Sequence, residues 1–394
     1  MKIVHCCFGI EHYIDTWGYQ QNLLPLYHAR LAHDTVVLAS NDTFPSFVKP
    51  EIIETIKVKG NSYMNGPVRV IRSSSFCPKH IHFQKAEGLL KQLNTEKPDI
   101  IFFHGSQNLS LLTCVRYKKH HPEVSLFVDN HGDEFNVNQN RLYRFIFFKC
   151  FWGLIHKYCG KYVDKYFGVT KGRCDFLHKY FCIGKQKIEL LPIGADVDSA
   201  KSILESKTNL RKKYGLNNDD KIIVHGGKLD PRKGTVDLIT VYRQLKTTFP
   251  TAKLLLFGKM ADERIVPMID NDIIVFDWLS RTQTFELFKL ADLAVWPIHH
   301  TTLIEDCVAS GLPYLIRKTA TTEHLINSDF YLNEGNCKDL FEKITLFLGG
   351  TIRNYIITSQ KEILNSINYY NIAEKVINVH LLLHNKKKSL SSCC

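Results

Sequence analysis

The stretch at residues 225–234, HGGKLDPRKG, sets Gly226 and Gly227 beside Lys228 and follows them with Arg232, Lys233 and Gly234. Glycine lets a backbone approach a ligand closely. Basic side chains ahead of a helix N-terminus meet phosphate, and the helix dipole adds to the attraction. The spacing is not that of a P-loop. Taken alone, a tight basic turn explains these residues as well as a phosphate clamp does. A second stretch at residues 302–318, TLIEDCVASGLPYLIRK, opens a short helix with Glu305. A carboxylate accepts two hydrogen bonds from a vicinal diol such as the 2′- and 3′-hydroxyls of a ribose. The plainer reading is a charge that complements the helix dipole. Backbone N–H groups around Thr301, Thr302 and Leu303 are placed to receive a diphosphate. Lysine, glycine turn, helix N-terminus and glutamate together describe a nucleoside diphosphate site.

These residues need a scaffold that brings strand ends together. Short β-branched and aromatic runs, each ending in polar or glycine residues, recur at 2–9, 35–40, 99–105, 125–132 and 165–170, with helical patterns separating several of them. One helical pattern, at 19–33, contains Pro25, which kinks it or marks a late start. The segment LLPIGADVDS reads as an interdomain linker, and near Ile193 the alternation restarts. Strand runs at 221–230, 252–259, 272–279, 292–298 and 313–318 then alternate with helical patterns, the first of these ended by Pro250. Such alternation predicts α/β architecture with parallel sheets covered by helices on both faces. The expectation is two doubly wound, Rossmann-like domains, at 1–192 and 193–385, with a disordered basic tail at 386–394. Ligands of such sheets bind outside the carboxyl ends of the strands, and a cleft between two facing domains is the expected site.

Bulk properties agree with this organisation. The chain has 394 residues, 44% apolar and 23% charged, which is ordinary globular composition for two domains. The net charge of +12 favours anionic partners, namely phosphorylated substrates, an anionic membrane surface or nucleic acid. No nucleic-acid module is recognised, so nucleic acid is set aside. Twelve scattered cysteines form no Cys-x-x-Cys and no zinc spacing, and read as reduced thiols in a cytosol. The first residues turn polar too soon for a signal peptide, and no 18-residue apolar run exists. The apolar helix at 141–162 is interrupted by Arg144, Lys149 and Lys157. It is expected to pack mostly in the core, while its Phe/Trp face between basic residues also suits an anionic membrane. A cytoplasmic protein, peripheral at the inner face of the membrane, is the expected location.

Several segments resemble the donor half of retaining family 4 glycosyltransferases of the GT-B fold. They are GGKLDPRKG, LLLFGK, DWLSRTQTFELFKLADLAVWP and EDCVASGLPYLIRKTATTEHL, collinear across 193–325. The first half agrees more loosely, through TWGYQQNLLPLYHARLAHDTVVLAS, PDIIFFHG and LLPIGADVD. Its GYQ-N form is similar to transferases of bacterial surface polysaccharides. The resemblance implies that Lys228 and Lys233 neutralise a donor diphosphate. Lys228 stands where arginine is more usual, which gives up bidentate geometry. It implies that Glu305 binds the ribose, that Gly227, Thr301 and Thr302 line the donor site, and that Gly18 lets the first domain's loop approach the phosphates. It also implies that His131 contacts the donor sugar, with Asp133 and Glu134 as rivals for a polar role.

One departure stands out. The first glutamate of the family's pair would fall at Pro297, and no acidic residue lies between Asp292 and Glu305. His299 or His300 is expected in that space.

The activity implied is sugar transfer with retention from a nucleotide-sugar, UDP- or GDP-linked, to an acceptor hydroxyl of a glycan or lipid-linked acceptor. The leaving diphosphate can take the acceptor's proton, so charge stabilisation and positioning suffice. Neither a resident cofactor nor a metal is called for. Two alternatives stay open: a non-catalytic relative that binds sugar nucleotide or polysaccharide, and a nucleotide-sugar epimerase or hydrolase. His5, His104 and His225, at strand ends, read as structural.

Overall fold

The computed structural model describes residues 1–46, 48–77, 82–327 and 329–391, the side chains of 386–391 excepted. The chain forms two compact units. One runs over residues 1–192 and takes up the chain again from Tyr369, and the other is Ile193–Asn368.

The first unit contains β1 (Lys2–Cys7), β2 (Asp34–Ser40), β3 (Ser62–Asn65) and β4 (Val68–Ser73). A separate two-stranded ribbon follows, β5 (Ser75–Phe76) with β6 (Lys85–Ala86). Then come β7 (Ile100–His104), β8 (Ser125–Asn130), β9 (Lys165–Gly168) and β10 (Ile188–Leu190). The main sheet has eight strands in the order β10-β9-β8-β7-β1-β2-β4-β3, and only β3 runs antiparallel, against β4. Its central strands are buried along their length, as parallel strands covered on both faces must be. Alternate residues feed opposite faces. Val4, Cys6, Val36, Leu38, Ile101 and Phe103 pack on one side, and Ile3, Phe102, Phe127 and Phe167 on the other. The strand order reverses at β1, which pairs with β2 on one side and β7 on the other.

The helix Gln20–Arg30 holds Pro25 inside it. Proline offers no N–H to the carbonyl four residues back, and that carbonyl, of Gln21, accepts instead from the Cys7 thiol at 3.8 Å. The stretch at 141–162 is helical from Arg141 to Cys159, with π-helical turns over Arg144–Trp152. Phe148, Trp152, His156 and Cys159 face the core, but Leu142, Phe145, Ile146, Leu154 and Tyr158 are exposed. The stretch is thus amphipathic, where the sequence suggested a mostly buried one.

The last helix, Tyr369–Ser391, corrects the expected boundaries. The sequence pattern extends the second domain to residue 385. The helix packs instead in the first unit, where Tyr369, Ile372, Ala373 and Val376 join Tyr27, Phe102 and Phe167 in one core. Lys375 Nζ donates to the Leu190 carbonyl at 2.7 Å, and Ser125 Oγ lies 2.9 Å from His380 Nδ1. Helix also continues through the first residues of the expected basic tail, to Ser391, while 392–394 lie outside the described residues.

The second unit carries β11 (Lys221–Gly226), β12 (Ala252–Phe257), β13 (Ile273–Phe276), β14 (Leu293–Trp296) and β15 (Tyr314–Ile316). All are parallel, in the order β13-β12-β11-β14-β15. Here the order reverses between β11 and β14, so the crevice opens at their carboxyl ends. Two buried side chains hold these strand ends in place. Trp296 Nε1 donates to the Gly226 carbonyl at 3.1 Å. His225 Nδ1 lies 2.7 Å from the Val295 carbonyl, and its Nε2 lies 3.0 Å from Thr235 Oγ1. The helix Arg281–Leu290 starts with a capping box between Ser280 and Gln283. Among the described residues no helix is long and apolar enough to cross a membrane, and the described cysteines are free thiols.

Candidate functional site

In the second unit the loops after β11 and β14 meet at the switch point. Gly227 has φ +119°, and a Cβ there would lie 3.6 Å from Leu303 Cδ1 and 3.8 Å from Thr301 Oγ1. The glycine turn and the threonine loop are therefore neighbours. Gly258 closes the turn from beneath: a Cβ at that position would come within 2.0 Å of the Gly227 carbonyl oxygen. Only glycine fits there, at φ +115°.

The basic residues divide. Lys228 is exposed. Arg232 is committed to Asp230, with Nη2 donating to Oδ2 at 2.7 Å. Lys233 is half-buried, and its Nζ donates to the His300 carbonyl at 3.2 Å. Burial lowers its pKa, against the pull of Asp230.

Glu305 is the third residue of the helix Leu303–Ala309, which Thr302 precedes as cap without a side-chain bond to it. The carboxylate is 1% exposed. Its Oε1 lies 2.8 Å from His300 Nε2. Its Oε2 is buried with no hydrogen-bond partner among the described residues. Burial pushes its carboxyl up, but His300 and His324 more than offset this and hold it below the usual value. Of the two histidines in the loop before this helix, His300 is the one that meets Glu305. The next residue, Asp306, receives Arg281 Nη2 at 2.8 Å, and the same guanidinium reaches Asp196 at 3.0 Å. That pair fixes the helix about its axis. Burial pushes the Asp306 carboxyl up to about 6, against the pull of Arg281. Neither Arg281 nor His324 was singled out from the sequence. Arg281 sits behind a serine cap at a strand-to-helix junction, the one local signal of its position.

The first unit has its own cluster, where β1, β7 and β8 end. Asp129 is fully buried. Its Oδ1 accepts from the Gly105 N–H at 2.6 Å, and its Oδ2 lies 2.8 Å from His104 Nδ1 and 3.2 Å from His131 Nε2. Burial disfavours the Asp129 carboxylate, yet His131 and His104 hold its pKa well below the ordinary value. His131 is half-buried, and burial lowers its pKa while Asp129 raises it further, for a net increase. Behind His104 the contacts continue inward. His104 Nε2 lies 3.0 Å from His5 Nδ1, and His5 Nε2 lies 3.0 Å from His28 Nδ1. Burial lowers the pKa of His5 well below its usual value and pushes His28 down to about 3, so both are neutral.

Glu11 completes this group. A Cβ on Gly105 would lie 2.0 Å from its Oε2, so Gly105, at φ +84°, is the floor under this carboxylate. Burial pushes the Glu11 carboxyl up to about 7, with His131 pulling down and Asp129 adding to the rise. The sequence reading passed over Glu11 and Asp129. Asp133 and Glu134 are occupied locally: Asp133 accepts from the N–H groups of Phe135 and Asn136 and pairs with Arg173, and Glu134 pairs with Lys179 and Tyr180. Gly18 is half-buried ahead of the helix Gln20–Arg30 and does not adopt positive φ.

Residues 206–354 match the family described as glycosyl transferases group 1. A trehalose synthase of Thermococcus litoralis is 28% identical over 116 residues, 29% of this chain. The match spans 27% of that protein's own length. A glycosyltransferase from Rickettsia africae superposes with TM-score 0.68 at 14% identity, covering 96% of this chain and 97% of its own. Anabaena HepE, solved with UDP, gives TM-score 0.67 at 14% identity over 96% of this chain and 99% of its own, and has also been solved with UDP-glucose. The chain therefore has the GT-B fold, and residues 206–354, within its second unit, match the group 1 glycosyl transferases.

Proposed function

We propose that the protein transfers a sugar, with retention, from a nucleotide-sugar to an acceptor hydroxyl. The observation that carries this reading is the convergence of Gly227, Thr301, Lys233 and a buried Glu305 at the switch point of the second sheet. Lys228 and Lys233 neutralise the diphosphate, with Gly227, Thr301 and Thr302 around it. Glu305 receives the ribose diol, for which its unpartnered Oε2 is the available acceptor. In the first unit, His131 hydrogen-bonds the sugar and Asp129 orients it, while Gly18 belongs to the loop that approaches the phosphates. The C1–O bond to the diphosphate breaks as the acceptor oxygen bonds C1 on the same face, and the diphosphate takes the acceptor's proton. Preorganised positive charge at the leaving group supplies the stabilisation.

The donor and acceptor follow from chemistry. HepE's complexes put a UDP-sugar first among donors to test. Leu142, Phe145, Ile146, Leu154 and Tyr158 are exposed among Arg141, Lys149 and Lys157, a face that suits an anionic membrane and a lipid-linked acceptor of surface-polysaccharide type. A cytoplasmic position at the membrane's inner face follows from that reading.

Calorimetric titration of the purified protein with UDP, GDP and CMP tests the donor assignment. Saturable binding of UDP, weakened at least tenfold by Glu305→Ala, is expected. A folded protein that binds none of the three would favour the non-catalytic reading. Unchanged affinity in Glu305→Ala would remove the ribose role from this residue.

A further inference from the structure

We propose that His300, Glu305 and His324 form a binding site for one divalent transition-metal cation of the zinc class. The three side chains come from different segments: the loop after β14, the helix Leu303–Ala309, and the single turn Glu323–Leu325. Each offers one ligand atom, and these atoms all lie within 4.8 Å of one another. His300 Nε2 already stands 2.8 Å from Glu305 Oε1, and the two imidazole rings are 6.2 Å apart, centre to centre.

The independent observation is the other oxygen of Glu305. It is buried and makes no hydrogen bond among the described residues, although the residue is 1% exposed. A buried polar atom without a partner is unfavourable, and a bound cation would satisfy it. Two imidazoles and a carboxylate are ligands for zinc, cobalt, nickel or copper, whereas magnesium and calcium take oxygen ligands. Zinc bonds to such ligands are about 2.0–2.2 Å long. Small side-chain rotations therefore bring the three atoms onto one ion, with water in the fourth position.

The second group of this kind, His104, Asp129 and His131, differs in a decisive way. There Asp129 is already engaged on both oxygens, by the Gly105 N–H and by His104. The cation would occupy the carboxylate assigned above to the ribose, so metal and nucleotide compete for Glu305. This consequence rests on the donor-site reading, while the metal site itself does not.

Cobalt(II) titration of the full chain, followed by visible absorption and reversed with zinc(II), tests the proposal. One equivalent is expected to bind with the spectrum of a nitrogen- and oxygen-ligated four-coordinate ion. Affinity should fall at least about tenfold in His324→Ala and in His300→Ala, each checked for folding by circular dichroism, and stay unchanged in His131→Ala. Absence of saturable binding, or binding that survives both substitutions, overturns the site. UDP titration in the presence of zinc separates the two readings. Zinc bound through His300 and His324 with UDP affinity unaltered would support the metal site and count against the ribose role. UDP binding that needs Glu305, in a protein that binds no metal, would keep the donor site and overturn this one.

Discussion

Lys233 reaches 3.2 Å from its Nζ to the carbonyl of His300, which ties the basic turn after β11 to the loop that leads into Glu305. One side chain thus holds this loop and, in the proposed donor site, would also present positive charge to a phosphate. Lys233→Ala removes both. A hydrogen bond to a charged group contributes about 1.5–3 kcal/mol, so UDP affinity should weaken roughly tenfold to a hundredfold. Lys228→Ala, at an exposed position without that tie, should weaken it less. Calorimetry on both variants decides the order, and equal losses would contradict it.

His131 is assigned the sugar and Asp129 its orientation. His131→Ala should lower kcat about tenfold to a hundredfold, the range of one charge-assisted hydrogen bond, with nucleotide affinity unchanged. Asp129→Asn should reproduce part of that loss and also lower Tm, because it removes a buried charge from between two histidines. Rates of nucleotide release and thermal melts separate the two effects. A nucleotide affinity that falls with kcat in His131→Ala would place this residue in ground-state binding.

Glu11 makes stability depend on pH. Its carboxyl titrates near 7 in the folded protein and near 4.3 in an unfolded chain (an order-of-magnitude reference). Over that interval the folded state holds the proton more tightly. Stability is therefore greatest below the unfolded value, falls as pH rises towards 7, and is flat above it. The loss amounts to up to about 4 kcal/mol. Glu11→Gln should melt at nearly the wild-type temperature near pH 4 and above it at pH 8. Thermal melts across this range check the trend, and a constant difference would contradict it.

The amphipathic stretch at 141–162 predicts salt-sensitive membrane binding. Wild-type protein should co-sediment with anionic vesicles at low salt and much less with neutral ones, since the attraction of Arg141, Lys149 and Lys157 is screened by salt. Phe145→Asp combined with Ile146→Asp should reduce binding without changing Tm, because both side chains are exposed. Equal sedimentation of the double variant would exclude this face.

Local patterns in the sequence determined the second sheet and most of the residues at its strand ends. Buried parallel strands read as short apolar runs, and the glycine, lysine and glutamate residues at their ends follow directly from where those runs stop. The antiparallel pair β3–β4 was also legible, in the two-residue Gly66–Pro67 turn between two short runs, where Gly66 takes φ +60°. Only the tertiary structure placed β7 beside β1, which sets His104, Asp129 and Glu11 around His131. Periodicity reports which face of an element is buried, not which element covers it. The same reason hid the last helix, whose apolar face suits either unit by pattern alone and packs on Tyr27 and Phe102 of the first. It also hid His324, which lies beyond β15 from Glu305 and comes near it through the turn at Glu323–Leu325. Chain contacts of that range are set by how whole layers pack, and no spacing rule along the sequence records them.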